Sequence, residues 1–168
     1  MPTNYDYRGF TKSYGKLTDK LLLPITIQPI ASTDPVLRNE HIEIISLWDT
    51  GATITAIKPS LKDKLKLRLI EDKHSAIVGG LGRPVKANCT ITTLYITPNF
   101  VLEFCPTYVL DLSINVDMVI GMDIINMGDF YIDNTNNETS FTFVVPPIPR
   151  KIDLIEIAER VKEKGQLS

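Results

Sequence analysis

Several features that mark common functional classes are scarce in this sequence of 168 residues. It has two cysteines and two histidines, too few for a disulfide framework, and none of them falls at a spacing typical of metal ligands. Lys and Arg number 18 against 20 Asp and Glu, so there is no basic excess for binding nucleic acid phosphates. No apolar stretch approaches the ~18 residues of a membrane span, and no apolar signal segment begins the chain. We therefore predict a soluble, cytoplasmic protein that uses no metal and no cofactor and binds neither nucleic acid nor a membrane.

The composition is that of a folded domain. Hydrophobic residues make up 43% of the chain and charged residues 23%, close to the values of an average globular protein. The length fits one domain. We predict a loosely held N-terminal arm over residues 1–16, one compact domain over residues 17–147, and a C-terminal amphipathic helix over residues 148–168.

Strands dominate the predicted secondary structure. Apolar and β-branched runs predict strands at residues 21–30, 41–48, 85–97, 100–110, 116–120, 130–133 and 140–145. Pro24 pushes the first of these toward a sheet edge or a bulge. A short helix is predicted after Pro59, followed by a strand that ends near residue 69, and a second short helix from about Asp123, with Asp123 as the N-cap. Residues 152–164 also have helical spacing. Because strands and helices do not alternate regularly, we predict a mostly β protein with a barrel-like body.

One short motif points to chemistry. Asp49, Thr50 and Gly51 directly follow the predicted strand that ends at Trp48, and Ala52 comes next. Taken alone, this triplet is also typical of an aspartate that caps a turn. Two further features follow along the chain: a predicted hairpin with a glycine-rich tip around residues 79–82, and the apolar run of residues 119–121, which ends in glycine before a short helix.

These three features, in this order, resemble the retropepsins, the single-domain aspartic proteases of retroviruses and their cellular and bacterial relatives. The resemblance covers roughly residues 21–145. It implies a closed, barrel-like acid-protease fold with a flap hairpin over the substrate and one short internal helix. It also implies that Asp49 is the catalytic carboxylate, that Thr50 ties two active-site loops together across a dimer, and that Gly51 contacts the substrate backbone.

The same resemblance implies a set of substrate-binding residues. The flap tip would be formed by Gly79, Gly80 and Leu81. Apolar subsites and close backbone contacts would come from Leu47, Ala52, Ala56, Val78, Leu81 and Val119. Asp117 would lie at the rim, so we expect cleavage between large hydrophobic residues, with a basic or polar residue admitted at the rim.

The chemistry itself requires two chains. An aspartic protease needs two carboxylates that share one proton, and this sequence contains a single Asp-Thr-Gly, at residues 49–51. A two-fold axis would supply the second copy from a partner chain. We therefore predict a homodimer that hydrolyses polypeptides with an Asp49/Asp49' dyad. Thr53 and Met122 stand where retroviral enzymes usually carry an acidic and a basic residue, so the interleaved termini of those enzymes cannot be assumed here.

A competing hypothesis is a catalytically inactive member of the fold that serves as a binding or dimerisation module through its cleft or its C-terminal helix. The intact Asp-Thr-Gly-Ala segment and the glycine-rich hairpin favour the enzyme.

Overall fold

The structure, a computed structural model, describes residues 6–70, 76–79, 84–112 and 114–163. Strands make up most of the regular secondary structure in this part of the chain, and its helices are short. In chain order the elements are β1 (Arg8–Ser13), β2 (Leu21–Gln28), β3 (Ile42–Trp48), β4 (Ala56–Ile57), α1 (Pro59–Lys64), β5 (Ala76–Gly79), β6 (Pro84–Thr97), β7 (Phe100–Val109), β8 (Met118–Ile120), α2 (Met122–Ile125), β9 (Asp129–Asp133), β10 (Ser140–Val145) and α3 (Leu154–Glu163).

The body of the molecule is a closed barrel. Its strands follow the order β2, β3, β8, β4, β7 and β6, and β6 closes the barrel by pairing with residues 26–28 of β2. β3 and β8 run parallel, with residues 46–48 opposite residues 118–120. β4 pairs with β8 on one side and with β7 on the other. The predicted mostly β, barrel-like fold is confirmed.

Pro24 shows how the barrel accommodates a residue without a backbone donor. It lies in β2 opposite Ile45 of β3. The backbone of Ile45 bonds instead to Asp117, whose carboxylate accepts the Ile45 N–H and whose own N–H donates to the Ile45 carbonyl. The pairing of β2 with β6 begins only at Thr26, so Pro24 lies where β2 is paired on one side among the described strands. This is the edge position that the proline predicts.

A second sheet is built from β1, β10 and β9, all antiparallel. The predicted N-terminal arm is therefore wrong for residues 8–13, which pair along their whole length with β10. This strand carries one large apolar side chain, Phe10, and its stability comes from a partner strand far away in the sequence. Gly9 is required by that pairing, because a Cβ atom there would lie 2.5 Å from the carbonyl oxygen of Phe143.

An aromatic cluster joins the second sheet to the barrel. Trp48, only 2% exposed, lies at its centre. Its ring centroid is 5.4 Å from that of Phe10, 5.9 Å from Phe130 and 5.0 Å from Phe143. Since Trp48 is the last residue of β3, this cluster anchors the point from which Asp49 extends.

The helices differ from prediction in detail. α1 begins at Pro59 as expected, but the strand expected after it is reduced to isolated bridges, Ser32 with Leu67 and Ile70 with Cys89. The N-cap of α2 is Gly121 and not Asp123, because the helix already begins at Met122. α3 falls within the predicted range, and none of its residues is buried. None of the described helices is long and apolar enough to cross a membrane.

Candidate active site

The Asp-Thr-Gly-Ala segment forms a closed turn at the end of β3. The Asp49 N–H donates to the Ile120 carbonyl at 3.0 Å, which ties the turn to the parallel strand β8. The Asp49 Oδ1 accepts the Gly51 N–H at 2.8 Å, and the Asp49 carbonyl accepts the Ala52 N–H at 3.1 Å. The Gly51 N–H thus fixes the direction of the Asp49 carboxylate.

A buried threonine connects this turn to the chain that crosses behind it. Thr55 is fully buried, and its hydroxyl donates to Asp123 Oδ1 at 2.7 Å while accepting the Gly121 N–H at 3.1 Å. The Thr55 N–H donates to Asp123 Oδ2 at 2.8 Å, and the Met122 N–H donates to the Ala52 carbonyl at 2.8 Å. Sequence reasoning missed Thr55. The sequence analysis predicts a helix that starts near Asp123, but it does not identify Thr55 as the residue that bonds to the Asp123 carboxylate.

Gly121 has no room for a side chain. A Cβ atom there would lie 2.5 Å from the carbonyl carbon of Ile54 and 2.8 Å from its nitrogen. The apolar-apolar-glycine run therefore lies directly against the segment that follows the Asp49 turn.

A cleft of about 320 Å³ opens beside Asp49. Five of the residues predicted for the site line it: Asp49, Gly51, Ala52, Ala56 and Val119. Residues that the sequence analysis did not place there complete the lining: Thr53, Ile54, Leu110, Asp111, Leu112 and Ile114. The segment after β7 reaches the cleft because the Leu110 N–H bonds to the Ile57 carbonyl of β4 at 3.0 Å. The lining is mostly apolar, with carboxylates from Asp49 and Asp111.

The remaining predicted residues lie elsewhere. Leu47 and Thr50 line a second cleft that also contains Asp49. Val78 and Gly79 belong to β5, which pairs antiparallel with β6 as the predicted hairpin requires. Gly80 and Leu81 fall outside the described residues.

A family model described as aspartyl protease matches residues 35–124, more than half of the chain. The chain belongs to the aspartyl protease family. No curated protein matches the sequence significantly.

Among solved structures, the chain is similar to a retropepsin-like aspartic protease from Rickettsia conorii. The TM-score is 0.50 at 10% identity, over 85% of this chain and 98% of that one. It also matches the protease of EIAV in complex with the inhibitor HBY-793, with TM-score 0.48, 19% identity and coverage of 66% and 88%. A third match is the retroviral protease-like domain of Ddi1 from Leishmania major, with TM-score 0.46, 19% identity and coverage of 74% and 95%. The predicted resemblance to retropepsins is confirmed.

In this member of the aspartyl protease family, Asp117 has a different environment from the one expected of a rim residue. Its Oδ1 lies 2.7 Å from the Lys58 ammonium, and its Oδ2 accepts the Ile45 N–H at 3.0 Å. Burial acts to raise the pKa of Asp117, but the bonds from Ile45 and Lys58 outweigh it and lower the pKa below its usual value. Asp117 does not line the cleft beside Asp49.

The two cysteines of the chain, Cys89 and Cys105, offer no competing nucleophile. Both are buried and free. Burial raises the pKa of the Cys105 thiol to about 11 and also raises the pKa of Cys89. At neutral pH both are protonated thiols, which are poor nucleophiles. Within residues 6–70, 76–79, 84–112 and 114–163, no group of three His, Cys, Asp or Glu side chains could hold a metal ion.

Proposed function

We propose that this protein is an aspartic endopeptidase that cleaves polypeptides with a dyad of Asp49 carboxylates, one from each chain of a homodimer. The observation that carries the proposal is the placement of Asp49 in an aspartyl protease fold. It stands beside a mostly apolar cleft, with its carboxylate direction fixed by the Gly51 N–H at 2.8 Å.

The dyad would work by general acid and base catalysis. Two carboxylates ~3 Å apart repel each other when both are ionised, so on the acid side of neutrality the pair holds one shared proton. The charged carboxylate takes a proton from water as the water oxygen attacks the carbonyl carbon of the substrate. The protonated carboxyl donates to the carbonyl oxygen, which gives a gem-diol. The gem-diol collapses when the carboxyl that took the water proton passes it to the leaving nitrogen, while a hydroxyl of the gem-diol returns its proton to the other carboxylate and restores the dyad. Activity should therefore be highest on the acid side of neutrality and fall once both carboxylates ionise.

The lining of the cleft supports a preference for hydrophobic substrate residues. Five apolar side chains line the cleft next to Asp49: Ile54, Ala56, Leu110, Ile114 and Val119. Burying a large side chain of the substrate against such a surface contributes about 1.5–3 kcal/mol. The contributions of Val78 and Leu81, and the cytoplasmic location, stay predictions.

Asp49→Asn tests the proposal, with Asp63→Asn as its matched control. Asn keeps the size of the side chain but cannot relay a proton, so activity should fall by on the order of 10³-fold or more. Dimer mass and melting temperature should hold. Asp63 lies in α1 with its side chain 71% exposed, and its variant should cleave at the wild-type rate.

Two outcomes would contradict the proposal. Cleavage by Asp49→Asn at the wild-type rate would show that Asp49 is not catalytic. If the wild-type dimer cleaves no unfolded protein substrate between pH 4 and 8, the hypothesis of a catalytically inactive binding or dimerisation module gains support.

A further inference from the structure

Phe104 is an exposed aromatic residue in the middle of β7. Its side chain is 69% exposed, more than that of any other aromatic residue in the described part of the chain. Its backbone is left-handed, with a φ of 53°. Bulky residues rarely adopt this conformation, which glycine and asparagine tolerate. Phe104 thus combines an unburied ring with a strained backbone, and such strain is concentrated at functional sites.

A β-bulge produces this conformation. Between two matched pairs, Thr92 with Cys105 and Leu94 with Leu102, β6 has one residue and β7 has two. The extra residue lets both Leu102 and Cys105 face the core, where they are 7% and 8% exposed. The two residues of β7 between them are both exposed. The bulge therefore holds the Phe104 ring on the outer face of the barrel.

The outer face of β7 leads from Phe104 to the cleft assigned to the substrate. Because side chains alternate along a strand, Pro106 and Tyr108 share this face with Phe104. Pro106 is exposed and Tyr108 is half-buried. Tyr108 lies opposite Ala56, which lines the cleft, and Leu110, the next residue on this face, lines it too. A row of apolar and aromatic residues thus runs from the bulge to the cleft.

The length of this row fits an extended peptide. Leu110 and Phe104 are six positions apart, and the bulge adds one residue without adding length. At ~3.3 Å per residue, the row spans about 17 Å. An extended peptide covers that distance with about five residues. A substrate residue that packs on Phe104 would therefore lie about five or six positions from the residues held in the cleft.

Carboxylates stand at both ends of the row. Glu103 is exposed and adjoins Phe104 in the bulge, and Asp111 is exposed and lines the cleft. The negative potential of these two groups favours a peptide that carries a basic residue next to a large apolar one.

We propose that the outer face of β7, from Leu110 to Phe104, binds a distal segment of an extended polypeptide substrate. A large apolar residue of that segment packs on the Phe104 ring, and a basic residue beside it faces Glu103. The inference rests on the proposed function and deepens it by naming the substrate class, which is unfolded chains long enough to reach the bulge. Because the bulge already fixes the ring in place, binding costs little further ordering of the protein.

Two matched peptides test this contact. Each has about 20 residues with Phe-Phe at its centre. The first carries Arg-Phe about six positions away on either side of the centre, and the second carries Arg-Ser there. With Asp49→Asn, which should bind peptides without cleaving them, fluorescence anisotropy should show about tenfold tighter binding of the first peptide, because its distal ring is buried against Phe104.

Phe104→Asn removes the ring, and Val36→Asn is its matched control. Val36 is 70% exposed and does not line the cleft. Added to Asp49→Asn, Phe104→Asn should bind the two peptides equally, whereas Val36→Asn should keep the tenfold difference. Because asparagine tolerates the left-handed backbone, the melting temperature of Phe104→Asn should hold or rise, while a merely structural role for the ring would lower it. With Asp49 intact, the ratio of kcat/KM for the two peptides should follow the same pattern.

The outcomes separate this inference from the proposed function. If the protein binds the two peptides equally or binds neither, or if Phe104→Asn keeps the difference, the inference is wrong, and the proposed function stands wherever the wild type cleaves both peptides. A lower dimer mass for Phe104→Asn would show that the ring packs on a second copy, which also overturns the inference. If the wild type cleaves neither peptide but binds the first more tightly through Phe104, the proposed reaction is wrong and the binding surface stands.

Discussion

The hydroxyl of Thr55 should stabilise the active-site loop by an amount that two substitutions can separate. Thr55→Val keeps the shape of the side chain and removes the hydroxyl. Thr55→Ser keeps the hydroxyl and removes the methyl group. Since Thr55 is fully buried, both changes act inside the protein, and their order reveals which part of the side chain matters.

The magnitudes follow from the partners of the hydroxyl. In Thr55→Val, the buried Gly121 N–H loses its acceptor at 3.1 Å, and an unsatisfied buried donor costs about 1–3 kcal/mol. The second partner matters less, because Asp123 is exposed and its Oδ1 still accepts the Ile124 N–H at 2.9 Å. We therefore expect a loss of about 2–3 kcal/mol in the free energy of unfolding for Thr55→Val, against ~1 kcal/mol for the methyl group lost in Thr55→Ser.

Urea denaturation at one fixed protein concentration measures both losses, because a dimer's apparent stability depends on concentration. Thr55→Val should also lower kcat per folded molecule, since Gly121 adjoins Ile120, whose carbonyl holds the Asp49 N–H at 3.0 Å. If Thr55→Val is as stable as the wild type, or more stable than Thr55→Ser, the hydroxyl does not hold the loop and the reasoning fails.

Two further predictions concern carboxylates near the site. Because the pKa of Asp117 is lowered in the folded protein, its bond to Lys58 stabilises the fold above about pH 4, and this contribution is lost as the pH falls through the folded pKa. Asp117→Asn should thus lower the melting temperature at neutral pH, and the difference from the wild type should shrink as the pH falls below about 4; a difference that does not change with pH would contradict this assignment. Asp111 places an exposed carboxylate on the cleft of about 320 Å³ beside Asp49. If peptides bind there, Asp111→Asn should lower kcat/KM about fivefold for peptides with a basic flanking residue. An equal loss of kcat/KM for fully apolar peptides would show that the Asp111 charge does not contribute to substrate recognition.

The parts of the site that the sequence predicts are those at which a tight turn or a close approach of two backbones restricts the type of residue. The turn at Asp49 needs an acceptor followed two residues later by a close backbone donor, and Gly51 meets that need because a Cβ there would lie 3.1 Å from Asp49 Oδ1. Gly121 is required by the approach of Ile54. Such constraints leave a short, recognisable pattern of residues. The sequence analysis found the pattern at Gly51 and the pattern at Gly121.

The parts that it missed depend on contacts between distant segments. β1 is polar by composition, and it is a strand only because β10 lies beside it; Thr11 and Thr142 share a hydrogen bond of 2.8 Å across 131 positions. Thr55 and Asp123 are 68 positions apart. Asp117 is a charged residue of the kind expected at the rim of a cleft, but its carboxylate forms an ion pair with Lys58. The sequence does not specify that pair.

Under the proposed function, one chain is sufficient for folding, but two chains are needed for catalysis. The aromatic cluster around Trp48 joins the barrel to the second sheet within one chain, and both sheets are completed by strands of that chain. The core therefore gives a single chain most of what it needs to fold. One Asp-Thr-Gly gives it only half of the proposed dyad. A chain with this arrangement can be stable before it is active. Under the proposed function, the association of two chains, and not the folding of each chain, would control when peptide bonds are cut.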